Sequence, residues 1–303
     1  MRRVAIKAAV FVLAVLSLTG VTYWAIGVWN RRRGTWASVF YCYAGSTKFI
    51  DSYAPPGTVA LFRWRPSPIG VLYQDGRWGV VLASPVTEAE FMDPANAVQF
   101  LRLQRRVARI AQLMRVETVN MAGILPGILS QSNALAVHDS RPVVVAAVAQ
   151  AVEEVLAKAL PDCGARDVIV LGGAGRIGRA VCAALTADGY TAHPVDPRSG
   201  VQALPIALQG KPCLLVDIAR KGAIRAYIPQ MWPGLVVLNE VFPCPSRRDV
   251  QLMTDKGVAV YHLAGVHGRV IPPLPHGYED AVPCCASHAA KVGGVRVVAL
   301  GQS

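Results

Sequence analysis

The segment that most constrains the fold lies between Asp167 and Asp196. An apolar run after Asp167 leads into a glycine-rich turn, a helical pattern follows, and a second apolar run ends at Asp196. A short, continuously apolar run is typical of a strand buried on both faces of a parallel sheet. With further apolar runs at 213–218, 235–238 and 258–263, the pattern predicts an α/β fold built on a Rossmann-type, doubly wound parallel sheet.

The turn has the composition that phosphate binding requires. Glycines permit a tight turn and let the backbone approach a pyrophosphate, and the following helix offers N–H groups at its N-terminus. Asp196 would accept hydrogen bonds from the ribose hydroxyls of NAD, whereas Arg198 would pair with the 2′-phosphate of NADP. We therefore expect NAD or NADP as cofactor, and the alternative is a Rossmann-type unit without a ligand. The candidate cofactor-binding residues are Gly172, Gly173, Ala174, Gly175, Arg176, Ile177, Gly178, Asp196 and Arg198.

An uncharged apolar stretch runs from Ala8 to Trp29. Because about 20 helical residues cross the hydrocarbon core of a bilayer, this length predicts one transmembrane helix. Aromatic residues gather toward its C-terminal end, and the three arginines at 31–33 favour a single-pass protein whose soluble body faces the cytoplasm. A cleaved signal peptide is the alternative, although its apolar region is usually only about 7–15 residues long.

Positive charge is concentrated near the N-terminus. The formal net charge is +12, of which residues 1–50 contribute +7, residues 51–115 +3 and residues 116–303 +2. The nearly neutral larger part of the chain argues against a nucleic acid as partner. The seven cysteines are an odd number without a CxxC pair, which indicates thiols in a reducing compartment and no metal site.

The stretch between the apolar N-terminus and the glycine-rich turn predicts a second, smaller α/β domain. Asp75 and Gly76 form a turn signal for a β-hairpin. A helix at about 95–116 gathers arginines on one side, either as a solvated face or as a surface for acidic headgroups or an acidic partner protein. The expected divisions are a transmembrane anchor with basic flanks at 1–33, the smaller domain at 50–140, and a linking helix with the NAD(P)-binding domain at 141–303.

The order of these parts resembles the long-chain acyl-(acyl carrier protein) reductase family. It is also similar, more widely, to the two-domain enzymes that include shikimate dehydrogenase and glutamyl-tRNA reductase. The resemblance runs from about residue 75 to residue 290 and is carried by the segments 122–127, 170–182, 237–243, 264–266 and 281–287.

This resemblance implies a nucleophile. Cys285 occupies the position of the acyl-accepting cysteine, with Cys284 beside it, and either a helix N-terminus or His288 would lower the pKa of the thiol. In this chain His288 stands where the family has an acidic residue, and residues 136–140 replace a threonine- and glycine-rich segment. The residues alone also allow a pair of small buried cysteines at the start of a helix.

Three further histidines are candidates for proton transfer. His138 precedes the helix at about 142–160, where the alternative is a capping segment without a catalytic role. His262 and His267 follow the last parallel strand, where an ordinary loop position is the alternative. We take Cys285, His288 and His138 as the candidate catalytic residues.

The sequence thus predicts a membrane-anchored, NAD(P)-dependent oxidoreductase of lipid metabolism that reduces a fatty acyl thioester to an aldehyde through a cysteine acyl-enzyme. The expected partners are the lipid bilayer and an acidic acyl carrier protein or acyl-CoA, and self-association stays open. Two alternatives remain. One is a dehydrogenase of a small carbonyl or hydroxyl substrate without covalent catalysis, and the other is a non-catalytic dinucleotide-binding membrane scaffold.

Overall fold

The computed structural model describes residues 2–44, 50, 59–129, 137–161, 164, 166–274, 278 and 280–301. The chain forms two compact units. The first contains residues 1–140, 268–274 and 285–290, and the second contains residues 141–267, 275–284 and 291–303.

The described residues form both strands and helices. The strands are β1 (Trp36–Ala44), β2 (Ser67–Gln74), β3 (Arg77–Thr87), β4 (Thr118–Met121), β5 (Asp167–Leu171), β6 (Thr191–Val195), β7 (Cys213–Asp217), β8 (Leu235–Asn239), β9 (Ala259–Val266), β10 (Arg269–Ile271) and β11 (Val295–Leu300). The α-helices are α1 (Arg2–Ser17), α2 (Val21–Arg33), α3 (Val59–Phe62), α4 (Glu88–Met92), α5 (Ala97–Met114), α6 (Leu125–Leu129), α7 (Arg141–Ala159), α8 (Arg176–Ala187) and α9 (Arg247–Thr254).

The first unit is built on a mixed sheet with strand order β10-β2-β3-β1-β4. The strand β1 pairs in parallel with both β3 and β4, and its central residues are fully buried. The sheet therefore begins at Trp36, well before residue 50, where the sequence predicts the start of this domain. The apolar segment after the arginines at 31–33 is a core strand of the sheet.

The hairpin of the first unit confirms the Asp-Gly turn signal. The strands β2 and β3 pair antiparallel from Gln74 and Arg77 outward, so Asp75 and Gly76 are the two turn residues. Both have positive φ, 50° and 76°, which is the conformation of the type I′ turn. This turn twists in the same sense as the strands and fixes their register.

The apolar N-terminal stretch is broken into two helices. Gly20 adopts a left-handed conformation with φ 76°, and α1 and α2 meet there at an angle of 80°. Among the described residues, no single helix has the length and hydropathy of a membrane span. The bent pair has that length and hydropathy only when its two helices are taken together. The expectation of one continuous transmembrane helix is therefore wrong.

The second unit contains a six-stranded sheet with order β11-β9-β8-β7-β5-β6. Strands β5 to β9 are all parallel, and β11 adds to the edge antiparallel to β9. The strands β7 and β8 are buried along their whole length, as strands covered on both faces must be. The α/β prediction with a parallel sheet is confirmed for this unit.

The strand order also fixes where a ligand would bind. The chain runs from β5 to β6 on one side and then crosses to β7 on the other, so the direction of the sheet order changes between β5 and β7. Open parallel sheets bind ligands outside the carboxyl ends of their strands at such a switch point. The glycine-rich turn follows β5 and therefore lies at this point.

Candidate functional site

The turn after β5 is a tight backbone loop. The N–H of Gly172 donates to the carbonyl of Val195 at 2.8 Å, and the N–H of Gly175 donates to the carbonyl of Gly172 at 2.9 Å. Gly172 has φ 87°, in the left-handed region that favours glycine. The sequence thus folds locally into the tight glycine turn that its composition predicts.

Two further glycines of this loop are required by close backbone contacts. A Cβ on Gly173 would lie 2.6 Å from the Cβ of Pro194, and a Cβ on Gly178 would lie 2.2 Å from the carbonyl oxygen of Gly172. Because heavy atoms cannot approach so closely, any side chain at Gly178 would push α8 away from the loop. The glycines therefore hold the N-terminus of α8 against the end of β5.

The N-terminus of α8 has the properties of an anion site. Gly175 is the N-cap residue and makes no side-chain capping bond. The first N–H groups of a helix have no acceptor within the helix, and the helix dipole adds partial positive charge there. Arg176 is exposed on the first turn with Ile177 after it, and Ala174 belongs to the loop. A pyrophosphate would receive hydrogen bonds from these groups.

Asp196 ends the strand beside this loop and is only 3% exposed. Its Oδ1 accepts a hydrogen bond from the backbone N–H of Arg198 at 2.9 Å. Its Oδ2 is buried and has no hydrogen-bond partner among the described residues. Because a buried carboxylate oxygen without a partner is costly, this atom is able to accept a hydrogen bond from a ligand hydroxyl. The ribose hydroxyls of an adenine dinucleotide supply such donors, so the residues present fit that cofactor.

Arg198 extends over the same loop. Its side chain is 70% exposed, and its Nε lies 3.4 Å from the Oδ1 of Asp196. Its Nη2 lies 3.9 Å from the position that a Cβ on Gly175 would occupy. The guanidinium is therefore close enough to the loop to meet a phosphate group.

A pair of carboxylic acids ends the next two strands of this edge. Asp217 is 1% exposed at the end of β7, and burial raises its pKa to about 7, although the N–H of Ala219 opposes the shift. Partly buried Glu240 follows β8, and burial together with the charge of Asp217 raises its pKa to about 8. Near neutral pH the pair therefore holds a proton beside the switch point. Nothing in the sequence marks this pair, because the two acids are 23 positions apart and belong to no motif.

The structure places Cys285 in the first unit, on a segment fixed by buried polar groups. The amide of Asn120 donates to the carbonyls of Ala286 and Ser287 at 3.0 and 2.9 Å. The side-chain oxygen of Gln74 accepts from the Ser287 hydroxyl at 3.0 Å. Cys285 itself is half-buried, next to this anchored backbone.

The charge of Cys285 contributes to raising the pKa values of two side chains at the end of β1. Burial, followed by the charge of Cys285, raises the pKa of Cys42 to about 12. Burial also raises the pKa of Tyr43 to about 12, with smaller contributions from Glu88 and Cys285. Cys42 therefore stays protonated at neutral pH and cannot compete as a thiolate.

His288 is held by two structural hydrogen bonds. Its Nε2 lies 3.1 Å from the main-chain carbonyl of Gln74, and its Nδ1 lies 3.0 Å from the hydroxyl of Ser38. Because a carbonyl only accepts, the proton sits on Nε2, and Nδ1 accepts from Ser38. Burial lowers the pKa of His288, so the ring stays neutral. The geometry thus ties the imidazole to β1 and β2, and a neutral ring supplies no positive charge to lower the pKa of the Cys285 thiol.

The other candidate histidines are not gathered at one site. His138 is exposed, and its backbone N–H donates to the carbonyl of Val119 at 2.8 Å. His262 is 1% exposed beside Asn239, with its Nδ1 3.0 Å from the main-chain oxygen of that residue, whereas His267 is exposed. Residue 136, at the start of the segment that departs from the reductase pattern, lies outside the described residues.

The second unit has a Rossmann-type parallel sheet with a glycine-rich turn at its switch point. No protein-family model matches the chain, and no curated protein matches it. Among solved structures, the chain is similar to one subunit of dipicolinate synthase from Bacillus halodurans, at 10% sequence identity and a TM-score of 0.29. The match covers 74% of this chain and 88% of that chain. A likeness this distant carries no argument, so the nature of the ligand has to be inferred from the loop and from Asp196 themselves.

Proposed function

We propose that this chain is an oxidoreductase that uses NAD, bound to the glycine-rich loop of the second unit. The observation that carries the proposal is the buried Oδ2 of Asp196, which has no partner among the described residues. It stands at the end of the strand next to a loop with an uncapped helix N-terminus. A dinucleotide site has two parts at this spacing. One is a set of N–H groups that bind phosphate, and the other is a carboxylate that accepts hydrogen bonds from ribose hydroxyls.

The same carboxylate favours NAD over NADP. A 2′-phosphate would bring negative charge against the buried carboxylate of Asp196, whose second oxygen needs a hydrogen-bond donor. Arg198 is the counter-argument, because its exposed guanidinium lies beside both the carboxylate and the loop. We expect Arg198 to contact the pyrophosphate, with Asp196 deciding the choice of cofactor.

The proposed substrate is a fatty acyl thioester, and Cys285 is the proposed nucleophile. The support is the resemblance of residues 281–287 to the acyl-accepting segment of the reductase family, together with the anchoring of this segment by Asn120 and Gln74. A nucleophile must be held in place to attack efficiently, and two buried amides supply that order. His288 would act as a positioning residue through Ser38 and Gln74.

The proposed reaction has two steps, acyl transfer to Cys285 and then hydride transfer to the acyl group. The thiolate of Cys285 attacks the thioester carbonyl, the carbon–sulfur bond to the carrier breaks, and the carrier thiolate leaves and takes a proton. Bound NADH would supply the hydride that converts the cysteine-bound acyl group to an aldehyde. The aldehyde then leaves, and the Cys285 thiolate is restored.

An acidic acyl carrier protein is the proposed form in which the acyl chain arrives. The helix α5 exposes Arg102, Arg105 and Arg109. Burial is the main cause that lowers the pKa of neighbouring Arg106, and the positive charges of Arg65 and Arg102 lower it further. An acidic partner would neutralise these positive charges, and their attraction would speed its association with the helix.

A second function is favoured by the acid pair. Asp217 and Glu240 hold a proton at neutral pH near the switch point, and reduction of a small carbonyl to a hydroxyl needs a proton as well as a hydride. In that case the chain would be a dehydrogenase without covalent catalysis. Glu240→Gln would then abolish turnover, whereas Cys285→Ala would leave it intact.

The test is oxidation of NADH and NADPH by the full chain, followed through the absorbance of the reduced nicotinamide. Palmitoyl thioesters of coenzyme A and of acyl carrier protein are compared with small aldehydes. The proposal expects thioester-dependent oxidation of NADH that is lost in Cys285→Ala and kept in Cys182→Ala, a cysteine on α8. Cofactor binding without turnover on any of these substrates would contradict the oxidoreductase and leave a binding protein.

A further inference from the structure

Exposed apolar side chains are concentrated on the first two helices. Among the described residues, nine of the sixteen large hydrophobic side chains that are exposed lie between positions 12 and 29. They are Val12, Leu13, Val15, Leu16, Leu18, Val21, Trp24, Val28 and Trp29. Apolar surface this dense is unusual on a protein in water and marks a binding surface. We call these nine residues the apolar helix surface.

The opposite face of α2 belongs to the core of the first unit. Tyr23, Gly27 and Asn30 recur at helical spacing and are all buried. Gly27 lies directly on the backbone of α5, since a Cβ there would be 1.8 Å from the carbonyl oxygen of Leu113. The helix α2 is therefore packed onto α5 by a face without room for lipid.

Asn30 completes this attachment. Its Nδ2 donates to the carbonyls of Trp36 and Arg115 at 3.0 and 3.1 Å, and its Oδ1 accepts from the N–H of Trp36 at 2.8 Å. A buried amide with its polar atoms satisfied by protein would lose these bonds if the helix moved into a bilayer core. The attachment thus holds α2 on the protein and leaves its other face exposed.

Neither helix reaches across a membrane. At a rise of about 1.5 Å per residue, the 16 residues of α1 and the 13 residues of α2 span about 24 and about 20 Å, against about 30 Å of hydrocarbon. The angle of 80° between them rules out stacking the two lengths end to end. This geometry suits helices that lie in the interface and bury one face by about 5–10 Å.

The charge around the surface identifies its occupant. Residues 1–50 contain seven lysines and arginines and no acidic residue. Arg31, Arg32 and Arg33 are exposed in the last turn of α2, next to Trp29. A second copy of the chain would bring two sets of these charges together, whereas anionic lipid headgroups would neutralise them.

We propose that the apolar helix surface binds in the plane of an anionic bilayer, entering one leaflet without crossing it. Trp24 and Trp29, 58% and 56% exposed, lie at the level of the headgroups, where amphipathic rings are most stable. The flanking arginines bind lipid phosphates. The proposal does not depend on the dinucleotide or on the proposed reaction.

The experiment is flotation of the full chain with vesicles of phosphatidylcholine alone or mixed with phosphatidylglycerol. Trp24→Ser/Trp29→Ser removes apolar anchors, and its matched control, Ile206→Ser/Leu252→Ser, removes two exposed apolar side chains of the second unit. We expect at least tenfold weaker binding to anionic vesicles for the first variant and no change for the control.

A second pair of variants tests the charge. Arg31→Glu/Arg32→Glu should weaken binding to anionic vesicles at least tenfold, whereas Arg247→Glu/Arg248→Glu, exposed on α9, should leave it unchanged. Added salt should weaken the binding of the wild-type chain. Equal binding to neutral vesicles, or equal losses in the control variants, would overturn the proposal.

Two measurements on the wild-type chain keep the proposal testable even where a variant does not fold. Brominated lipids should quench tryptophan fluorescence more strongly from shallow than from deep acyl positions. Washing the vesicles with alkaline carbonate should release the chain. Resistance to carbonate would indicate a spanning anchor, and dimers without vesicle binding would indicate a second copy as occupant. Either result overturns the proposal.

Discussion

Replacing Gly178 by alanine introduces a methyl group where the backbone leaves no space for one. The new Cβ would lie 2.2 Å from the carbonyl oxygen of Gly172 and 2.8 Å from the Cα of Gly173. Both neighbours are backbone atoms, so no side-chain rotation can relieve the contact. The helix α8 must therefore move away from the end of β5.

The size of this movement follows from the distances. Ordinary van der Waals contact begins at 3.4 Å, so α8 has to retreat by about 1.2 Å. Overpacking of this kind costs about 1–3 kcal/mol of folding free energy, and rigid backbone neighbours favour the upper end. A hydrogen bond of ordinary length does not survive a displacement of about 1 Å, so the N–H groups of the helix would lose their contacts with a pyrophosphate.

The assay combines urea unfolding with calorimetric titration of NAD. For Gly178→Ala we expect the free energy of unfolding to fall by about 3 kcal/mol and the affinity for NAD to fall at least tenfold. Gly293→Ala is the matched control, because nothing lies within 4 Å of its Cβ position. Wild-type stability together with wild-type NAD affinity in Gly178→Ala would refute the reasoning from the close approach.

Three further predictions concern stability. Asp217 and Glu240 have raised folded-state pKa values, about 7 and about 8, so the folded chain binds protons more tightly than the unfolded chain. Urea unfolding should show stability falling between about pH 4 and pH 8, by about 4 kcal/mol at most for Asp217, and Asp217→Asn/Glu240→Gln should remove this slope. Asn30→Leu should lower the free energy of unfolding by about 2–3 kcal/mol, because backbone groups of the first unit lose their partner; unchanged stability would contradict the attachment of α2. His288→Gln should cost about 2 kcal/mol by losing two hydrogen bonds while leaving the pH dependence of turnover in place, and a shifted pH profile would instead make it a catalytic residue.

The parallel sheet and glycine-rich turn of the second unit were predictable because their signals are local. The strand after Asp167, the glycine loop and Asp196 follow one another within 30 residues. The local backbone conformation accounts for the residue type at each of these positions. The type I′ turn at Asp75 and Gly76 was predictable for the same reason. Short-range chemistry decides these elements, so one sequence suffices to place them.

The contacts around Cys285 were not predictable, because they join distant parts of the chain. Asn120 reaches the carbonyl of Ser287 across 167 positions, and Gln74 reaches the backbone of His288 across 214. Nothing near Asn120 in the sequence marks it as an anchor for the cysteine segment. Pairing over such distances is set by the tertiary fold alone.

The N-terminal helices show that hydropathy does not reveal where a helix breaks. An uncharged apolar stretch has the same composition whether it forms one continuous helix or two helices that meet at an angle. The difference lies in Gly20, whose left-handed backbone breaks the helix, and in the fit of Gly27 against Leu113. Both depend on partners that no local pattern reveals.

Calorimetric titration of NAD and NADP into the full chain and into Asp196→Ala is the decisive measurement for the proposed dinucleotide site. The buried Oδ2 of Asp196 is expected to accept a hydrogen bond from the adenosine ribose of NAD. A hydrogen bond to a charged group contributes about 1.5–3 kcal/mol, so the variant should bind NAD about tenfold to 150-fold more weakly than the wild type. Asp188→Ala, at the far end of α8, should bind NAD as the wild type does. We also expect the wild type to prefer NAD to NADP. Equal affinity for NAD in wild type and Asp196→Ala, or no binding of either dinucleotide, would contradict the proposed site.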